Sequence, residues 1–399
     1  MNELRSWIIE RLNSNDTVVL VAVTHASGST ARGTDALMAV DMNGRMEGTV
    51  GGGYVENQAI IAIRKLLEIG GDHQDLFFDL SPEAQQNQMT CGGKVSLHLE
   101  RVDPQSEACN ALKACFERLE SGSACSFLVA RAPEEKHCFA IDEKGNVLYP
   151  HLQTEIQELI AKNIVEDIKK LQPDLNGSSG LSSSSSLCSA SCRSDTTGLK
   201  SAQAFCGASC FELELPEASK INMARVFQLG FRPDPVAYIF GAGHVGKATS
   251  VAASLVGFQV VITDDRPELL TRERFPKASM LRIIDSFADP LAASRDAPAI
   301  EIGPQDCAMI LTRKPDIDKE MLSCLLRTKA GYIGLIGSKT KRDGIFAALR
   351  EEGFSDIDLS RVHSPIGLGI GAETPEEIAI SIMAEVIAVR SGVLTQLKC

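Results

Sequence analysis

The spacing of apolar residues divides the chain into regions that differ in predicted structure. Short β-branched runs at 17–24 and 36–40 predict strands. After three glycines at 51–53, apolar residues recur at helical spacing as far as the glycine pair at 70–71. This mixture of strands and helices predicts an α+β domain over residues 1–150.

The pattern breaks in the middle of the chain. Helical periodicity runs from 152 to 171 and gives way to a segment rich in serine and glycine, with five consecutive serines at 182–186. Such a composition favours a flexible linker or an insertion. We therefore expect residues 151–232 to hold a helix, this insertion and a connecting segment.

Residues 233–399 alternate apolar runs with amphipathic segments, which is the pattern of β-α-β units. Five of the apolar runs have the length and composition of strands. We expect a C-terminal α/β domain with a Rossmann-like, doubly wound parallel sheet. The predicted strands are 237–240, 259–263, 280–284, 308–312 and 331–336.

Composition narrows the class of protein. The 399 residues include 40 basic and 52 acidic side chains, and the net charge of −12 argues against binding along the phosphate backbone of a nucleic acid. No apolar stretch approaches the roughly 18 residues that a membrane span needs, and charges interrupt the N-terminal apolar segment, unlike a signal peptide. We expect a cytoplasmic protein without nucleic-acid or membrane partners, whose 12 cysteines are mostly reduced core residues.

The strongest local signal is a glycine-rich turn that follows a predicted strand and begins a helix. Gly241, Gly243 and Gly246 have the spacing that allows a tight turn, close approach of a pyrophosphate and helix–strand packing. His244 begins the helix whose N–H groups would face the phosphate, and Asp264 ends the next strand, where an acid binds ribose hydroxyls. The turn predicts a phosphate or NAD(P) site. Alternatively, the domain has the Rossmann-like fold but binds no dinucleotide.

A second candidate site is the basic loop after the last predicted strand. Ser338, Lys339 and Arg342 lie where the loops of a doubly wound sheet line its ligand crevice. We expect these side chains to bind an anion at the same crevice as the glycine turn. The alternative is a basic helix start that is simply solvated.

Two N-terminal loops carry similar chemistry. One holds Ser27, Ser29 and Arg32 after a predicted strand, and the other is the triplet Gly51, Gly52 and Gly53 before a predicted helix. Both offer backbone donors that suit an anion. The glycines of either loop, Gly28 and Gly33 in the first and the triplet in the second, could instead serve turn geometry alone.

Several cysteines stand out from the apolar pattern. Cys91 is followed by two glycines, which predicts an exposed and reactive thiol if its pKa is lowered. Two C-x3-C pairs in the insertion suggest a zinc or iron–sulfur site. These pairs are Cys188 with Cys192 and Cys206 with Cys210.

Taken together, the motifs resemble the XdhC/CoxI family of molybdenum-hydroxylase accessory proteins. The resemblance covers roughly residues 1–100 and 233–390 and departs from the family pattern at Ala31 and Tyr54, so no sulfur chemistry is assigned to position 54. The segments that carry it are SGSTARG, EGTVGGGYVE, TCGG, FGAGHVGKA, TDDRPE, IGSKTKR and PIGLGIGAETPEEIA.

The resemblance implies a maturation chaperone rather than an enzyme. It implies binding of molybdenum cofactor and assistance in its sulfuration and insertion into a xanthine-dehydrogenase-type apoenzyme, with a cysteine desulfurase and a second copy of the chain as further partners. Two alternatives from other classes stay open. One is an NAD-dependent oxidoreductase that uses the Rossmann domain, and the other is a redox or metal sensor built on the insertion cysteines.

Overall fold

The chain forms two compact units, residues 1–233 and residues 234–399. The second unit begins one residue from the predicted start at 233, whereas the predicted boundary at residue 150 falls inside the first unit. The computed structural model describes residues 2–28, 32–80, 93–132, 135–150, 155–170, 207–214, 223–284, 289–293, 298–313 and 315–394.

The first unit begins with an antiparallel sheet of five strands in the order β3-β2-β1-β5-β4. Ser106 caps the third helix by accepting a hydrogen bond from the backbone N–H of Cys109. The elements are α1 (Asn2–Asn13), β1 (Val18–Gly28), β2 (Leu37–Asp41), β3 (Met46–Gly48), α2 (Gly53–Glu68), β4 (His73–Asp79), β5 (Gly93–Val102) and α3 (Glu107–Glu120).

A second antiparallel sheet of five strands completes the first unit, in the order β8-β7-β6-β10-β9. Its last two strands follow the insertion in sequence: β10 pairs with β6, which precedes the insertion, and β9 pairs with β10. This pairing explains why the unit extends beyond residue 150. The elements are β6 (Cys125–Arg131), β7 (Lys136–Asp142), β8 (Val147–Tyr149), α4 (Glu155–Lys170), β9 (Gly207–Glu214) and β10 (Met223–Phe231).

Alternation along the central strands builds three cores in this unit. In β1, Leu20 points into a core that both sheets share with α1 and α3, whereas its neighbour Val21 points into a core against α2. In β6, Phe127 belongs to the shared core and Leu128 to a third core against α4. Both faces of each sheet are therefore buried along their central strands.

The second unit is a six-stranded parallel sheet in the order β13-β12-β11-β14-β15-β16. This is the doubly wound order, so the predicted fold class is confirmed. The elements are β11 (Val236–Phe240), α5 (His244–Leu255), β12 (Gln259–Asp264), β13 (Met280–Ile283), β14 (Cys307–Ile310), α6 (Pro315–Leu326), β15 (Tyr332–Leu335), α7 (Lys339–Glu351), α8 (Asp356–Ser360), β16 (Val362–His363) and α9 (Pro375–Arg390).

All five strands predicted for this region are present, and the sixth, β16, has two residues and is too short to leave a pattern in the sequence. Helices cover both faces of the sheet. Ala253 of α5 and Ile382 of α9 pack on one face, and Met321 of α6 and Ile345 of α7 pack on the other. Within the described residues, no helix has the length and apolar character needed to cross a membrane.

Candidate functional site

The glycine turn between β11 and α5 places three glycines in three different surroundings. Gly241 has φ +127°, and a Cβ there would lie 2.5 Å from the Leu311 carbonyl oxygen. A Cβ at Gly246 would lie 1.9 Å from the Gly241 carbonyl oxygen, so the helix can approach the turn only because this residue has no side chain. A Cβ at Gly243 would meet nothing within 4 Å. The space at Gly243 is therefore open to a ligand.

The same turn presents the beginning of α5 without a side-chain cap. Gly243 is the N-cap residue and has no side chain that could accept a hydrogen bond from the first helical turn. The first N–H groups of a helix have no acceptor within the helix, and they carry the positive end of its dipole. His244, the first helical residue, is exposed. This end of α5 is suited to a phosphate.

Asp264 lies beside the turn, but its carboxylate already has partners that the sequence did not reveal. Its Oδ2 accepts a hydrogen bond from the Ala242 N–H at 2.6 Å, and its two oxygens accept from the Arg266 guanidinium at 2.8 and 2.9 Å. Burial acts to raise the pKa of Asp264, yet the hydrogen bonds from Arg266 and Ala242 lower it to about 2. A ribose could bind Asp264 as predicted only if Arg266 moved away.

A cavity of about 150 Å³ opens at this end of the sheet. Gly241 and Gly243 line it on one side, and Arg266 and Arg313 bring positive charge to it. Asp264 holds Arg266 in place, and Arg313 lies 3.4 Å from a carboxylate oxygen of Asp265. The cavity thus combines uncapped helical N–H groups and two guanidinium groups, which are anion-binding donors, with the two carboxylates that pair with those guanidinium groups.

The basic loop does not contribute to this cavity as predicted, because Ser338, Lys339 and Arg342 do not line it. Ser338 is the N-cap of α7 and accepts a hydrogen bond from the Lys341 N–H at 3.2 Å. The Arg342 guanidinium donates to Asp343 at 2.6 Å and to the Ser364 carbonyl at 3.1 Å. Lys339 is exposed. Ser338 and Arg342 therefore have structural partners. Lys339 fits the alternative prediction, a solvated basic residue at the start of a helix.

The glycine triplet before α2 holds an anion of its own. The Glu56 carboxylate accepts hydrogen bonds from the N–H of Val50 at 3.1 Å and of Gly52 at 2.9 Å. Burial acts to raise the pKa of Glu56, but these bonds and one from Thr49 lower it overall. Gly51 donates to the Thr49 hydroxyl at 3.2 Å, and the three glycines Gly51, Gly52 and Gly53 all have positive φ. The predicted anion site is therefore occupied from within the chain.

Replacing Glu56 with alanine should destabilise the first unit by about 1–3 kcal/mol, because it removes charge-assisted hydrogen bonds and leaves backbone donors without their acceptor. Urea denaturation followed by the fluorescence of Trp7, the single tryptophan of the chain, measures this effect. Glu68→Ala, at the exposed end of the same helix, is the matched control and should change little. Equal stability of the two variants would show that Glu56 does not hold the turn.

The other N-terminal candidates belong to the end of β1 and the segment that follows it. Ser27 lies near the end of β1 and is paired with Lys94 across the sheet, and Gly28 is opposite Gly93. Arg32 is exposed. Ser29 lies outside the described residues.

Most of the cysteines singled out from the sequence cannot be placed. Cys91, Cys188, Cys192 and Cys206 lie outside the described residues. Cys109, Cys115, Cys125 and Cys307 are buried, as predicted for core residues, and Cys324 is partly buried.

Cys210 lies in β9 beside two residues to which sequence reasoning assigned no role, Asp75 of β4 and His98 of β5. Burial acts to lower the pKa of His98, but hydrogen bonds with Asp75, Cys210 and Glu100 raise it to about 10. In the sequence, Ser96, His98 and Glu100 alternate with apolar residues, as on a strand with one solvated face. The second sheet covers that face, because His98 stacks on Phe227 of β10 at 4.1 Å between ring centroids.

Two family models match the chain. Residues 237–386 match the XdhC Rossmann domain, and residues 11–76 match the XdhC and CoxI family. Together the two matches cover more than half of the chain.

Proteins similar to this chain include three from bacteria. An uncharacterized protein YqeB of Escherichia coli K12 is 36% identical over 163 residues, which are 41% of this chain and 28% of that protein. A Bacillus subtilis protein described as a probable xanthine dehydrogenase subunit is 24% identical and matches 98% of this chain and 99% of that one. The molybdenum cofactor insertion chaperone PaoD of Escherichia coli K12 is 22% identical, over 96% of this chain and 87% of that one.

A solved structure has the same fold. It is described as a xanthine dehydrogenase from Bacillus halodurans and is 23% identical, with a TM-score of 0.66 over 97% of this chain and 96% of that one. At this identity the likeness establishes the fold alone.

Proposed function

Because the chain belongs to the XdhC/CoxI family, we propose that it is an accessory protein in the maturation of a molybdenum hydroxylase. It binds molybdenum cofactor and assists the sulfuration of the cofactor and its insertion into a xanthine-dehydrogenase-type apoenzyme. The observation that carries this proposal is the similarity to a molybdenum cofactor insertion chaperone over 96% of the chain.

The glycine turn fits the phosphate of such a cofactor. Gly243 leaves open space where a Cβ would lie, and α5 begins there without a side-chain cap. Arg266 and Arg313 line the adjacent cavity together with the carboxylates that pair with them, Asp264 and Asp265, so these guanidinium groups contribute hydrogen-bond donors rather than a net positive charge. A phosphate is held by this combination of N–H groups and guanidinium groups.

In this proposal the residues of the turn bind and orient the cofactor, and they do not transfer protons. Asp264 fixes Arg266 through two hydrogen bonds, so the guanidinium is positioned before a ligand arrives. His244 is exposed at the first position of α5 and adds a polar contact to the part of the ligand outside the cavity. The cofactor supplies its metal chemistry only to the client enzyme that receives it.

A dinucleotide is the second ligand class to consider, because the strand order and the glycine spacing are those of dinucleotide-binding sheets. The engagement of Asp264 by Arg266 argues against it, since the acid that would accept ribose hydroxyls is already fully bonded. The binding of molybdenum cofactor should therefore be compared with the binding of NAD and NADP to the same protein.

Reconstitution tests the delivery role. A xanthine-dehydrogenase-type apoenzyme, prepared from cells that lack this chain, is mixed anaerobically with molybdenum cofactor and with a cysteine desulfurase and cysteine as the sulfur source, in the presence or absence of the purified protein. We expect the protein to increase the recovered hydroxylase activity and the content of sulfurated cofactor. Equal recovery without the protein would contradict the proposed function.

Gly243→Asp should abolish cofactor binding while the protein stays folded, because the new carboxylate lies at the open anion position and repels a phosphate. This repulsion adds to the loss of the N–H contacts that the phosphate would make, so affinity should fall by more than about a hundredfold. Equilibrium binding of isolated molybdenum cofactor to the full chain measures the effect.

Gly344→Asp is the matched control, because a Cβ at Gly344 of α7 also meets nothing within 4 Å and the residue is exposed. It makes the same change in charge away from the turn and should retain affinity. Unchanged binding by folded Gly243→Asp, or equal loss in both variants, would remove the glycine turn from the proposed site.

A further inference from the structure

Three side chains that the proposed function does not use converge inside the first unit. Asp75 of β4 and His98 of β5 are direct partners across the first sheet, and Cys210 comes from β9 at the edge of the second sheet. One donor atom of each residue, a carboxylate oxygen, a ring nitrogen and the sulfur, lies within 4.8 Å of the other two. The pairing of strands in two different sheets thus gathers an oxygen, a nitrogen and a sulfur donor at one point.

The surroundings of His98 orient its ring as in a histidine that binds metal. Its Nε2 lies 3.1 Å from a carboxylate oxygen of Glu100, and its Nδ1 faces Asp75 at 2.7 Å. Metal-binding histidines commonly donate the N–H of the other ring nitrogen to a carboxylate, which fixes the tautomer and the ring plane. With Nε2–H donated to Glu100, Nδ1 is the nitrogen directed at Asp75.

Glu100 is itself held firmly enough to serve this purpose. Its side chain is buried, and its two oxygens accept hydrogen bonds from Arg131 at 2.6 Å and from Lys136 at 3.0 Å. The ring of His98 is further fixed by the stacked ring of Phe227. The nitrogen donor is therefore preorganised, which is the requirement for a built site rather than a chance cluster.

Two of the three donors also have access to solvent. Asp75 and Cys210 line a cavity of about 400 Å³ together with Thr24, His25, Ser96 and Arg225. The His98 side chain is only 2% exposed, whereas that of Asp75 is 36% exposed and can shift toward an entering ion. Three protein donors and an open side are the arrangement of zinc sites that keep one position for water or substrate.

We propose that Asp75, His98 and Cys210 form a zinc site with one open coordination position in the first unit. Thiolate, imidazole and carboxylate together favour Zn²⁺ over Mg²⁺ or Ca²⁺, which take oxygen ligands. The ion replaces the proton between Nδ1 and Asp75 and the proton of the thiol, and both protons leave to solvent. Arg225 forms an ion pair with Asp75. When the Asp75 carboxylate turns toward the zinc ion, this ion pair breaks and the Arg225 guanidinium is solvated by water.

The test uses the full chain with Zn²⁺ and with Co²⁺ as a spectroscopic probe. We expect one zinc ion per chain in competition with a chromophoric chelator, and a thiolate-to-cobalt charge-transfer band when Co²⁺ is bound. Cys210→Ser should remove that band, and Cys210→Ser and Asp75→Asn should each weaken zinc binding by more than about a hundredfold, since even changes to residues behind a ligand cost ten- to a hundredfold.

Two controls separate this site from the other cysteines. The variant with Cys188, Cys192 and Cys206 all changed to serine should keep the band and the zinc affinity, and so should Cys324→Ser, which changes another partly buried cysteine. Circular dichroism confirms that each variant is folded. Absence of the band in the unaltered protein, its persistence in Cys210→Ser, or its loss in the triple variant would each overturn the proposal.

Discussion

Gly246→Ala should destabilise the second unit by about 3 kcal/mol or more, the largest effect that we expect from adding one methyl group. The new Cβ would lie 1.9 Å from the Gly241 carbonyl oxygen, which is backbone and cannot change rotamer. Relief requires α5 to move away from β11, and Ala253 of the same helix packs in the core of that face. The change therefore acts on packing as well as on the turn.

Gly243→Ala is the control for this prediction, because a Cβ at Gly243 has open space and φ there is −68°. We expect it to change stability by less than about 1 kcal/mol. Far-ultraviolet circular dichroism during urea denaturation follows both units, whereas the fluorescence of Trp7 follows the first. An unchanged transition in Gly246→Ala would show that α5 does not need this glycine.

Glu385→Gln should remove about 2–3 kcal/mol of stability near neutral pH and almost none in strong acid. The carboxylate is 1% exposed and accepts hydrogen bonds from the Tyr332 hydroxyl at 2.7 Å and the Gly367 N–H at 2.8 Å. Burial acts to raise the pKa of Glu385, but its bonds with His363, Tyr332 and Gly367 lower it to about 2.

The sign of the pH dependence follows from that lowered pKa. A carboxyl group with a lower pKa in the folded state stabilises the fold above its ordinary pKa of 4.5, and this stabilisation is lost as the pH falls toward 2. Urea denaturation at about pH 7, where the stabilisation is complete, and at about pH 3, where roughly half of it is lost, measures the difference. Glu376→Gln, at an exposed position of the same helix, is the control, and an equal pH dependence in both variants would contradict the role of Glu385.

The sequence predicted the second unit in more detail than the first because parallel strands leave strong local signals. Each central strand is a short apolar run, buried on both faces, and the glycine turn marks the first strand and helix by itself. The first unit depends on pairing over long distances. β10 follows the insertion but pairs with β6, and β9 adds to the sheet beside β10; nothing local to residue 150 reveals that the sheet is incomplete there.

The sequence predicted where the candidate residues lie along the chain, but not which side chains pair with them. Spacing located Asp264 and the glycine triplet, yet the partners Arg266 and Glu56 depend on side-chain directions that a motif does not specify. His98 shows the same limit, because its strand alternates polar and apolar residues as a solvated strand would. Only the second sheet, which stacks Phe227 on it, makes that face an interior.

The most direct test of the proposed function is anaerobic purification of the full chain from cells that make molybdenum cofactor, followed by quantification of bound small molecules. We predict that the unaltered protein and Gly344→Asp carry similar amounts of a fluorescent pterin and of molybdenum. Gly243→Asp should carry neither. A tightly bound nicotinamide dinucleotide in place of the pterin, or pterin retained by folded Gly243→Asp, would contradict the account.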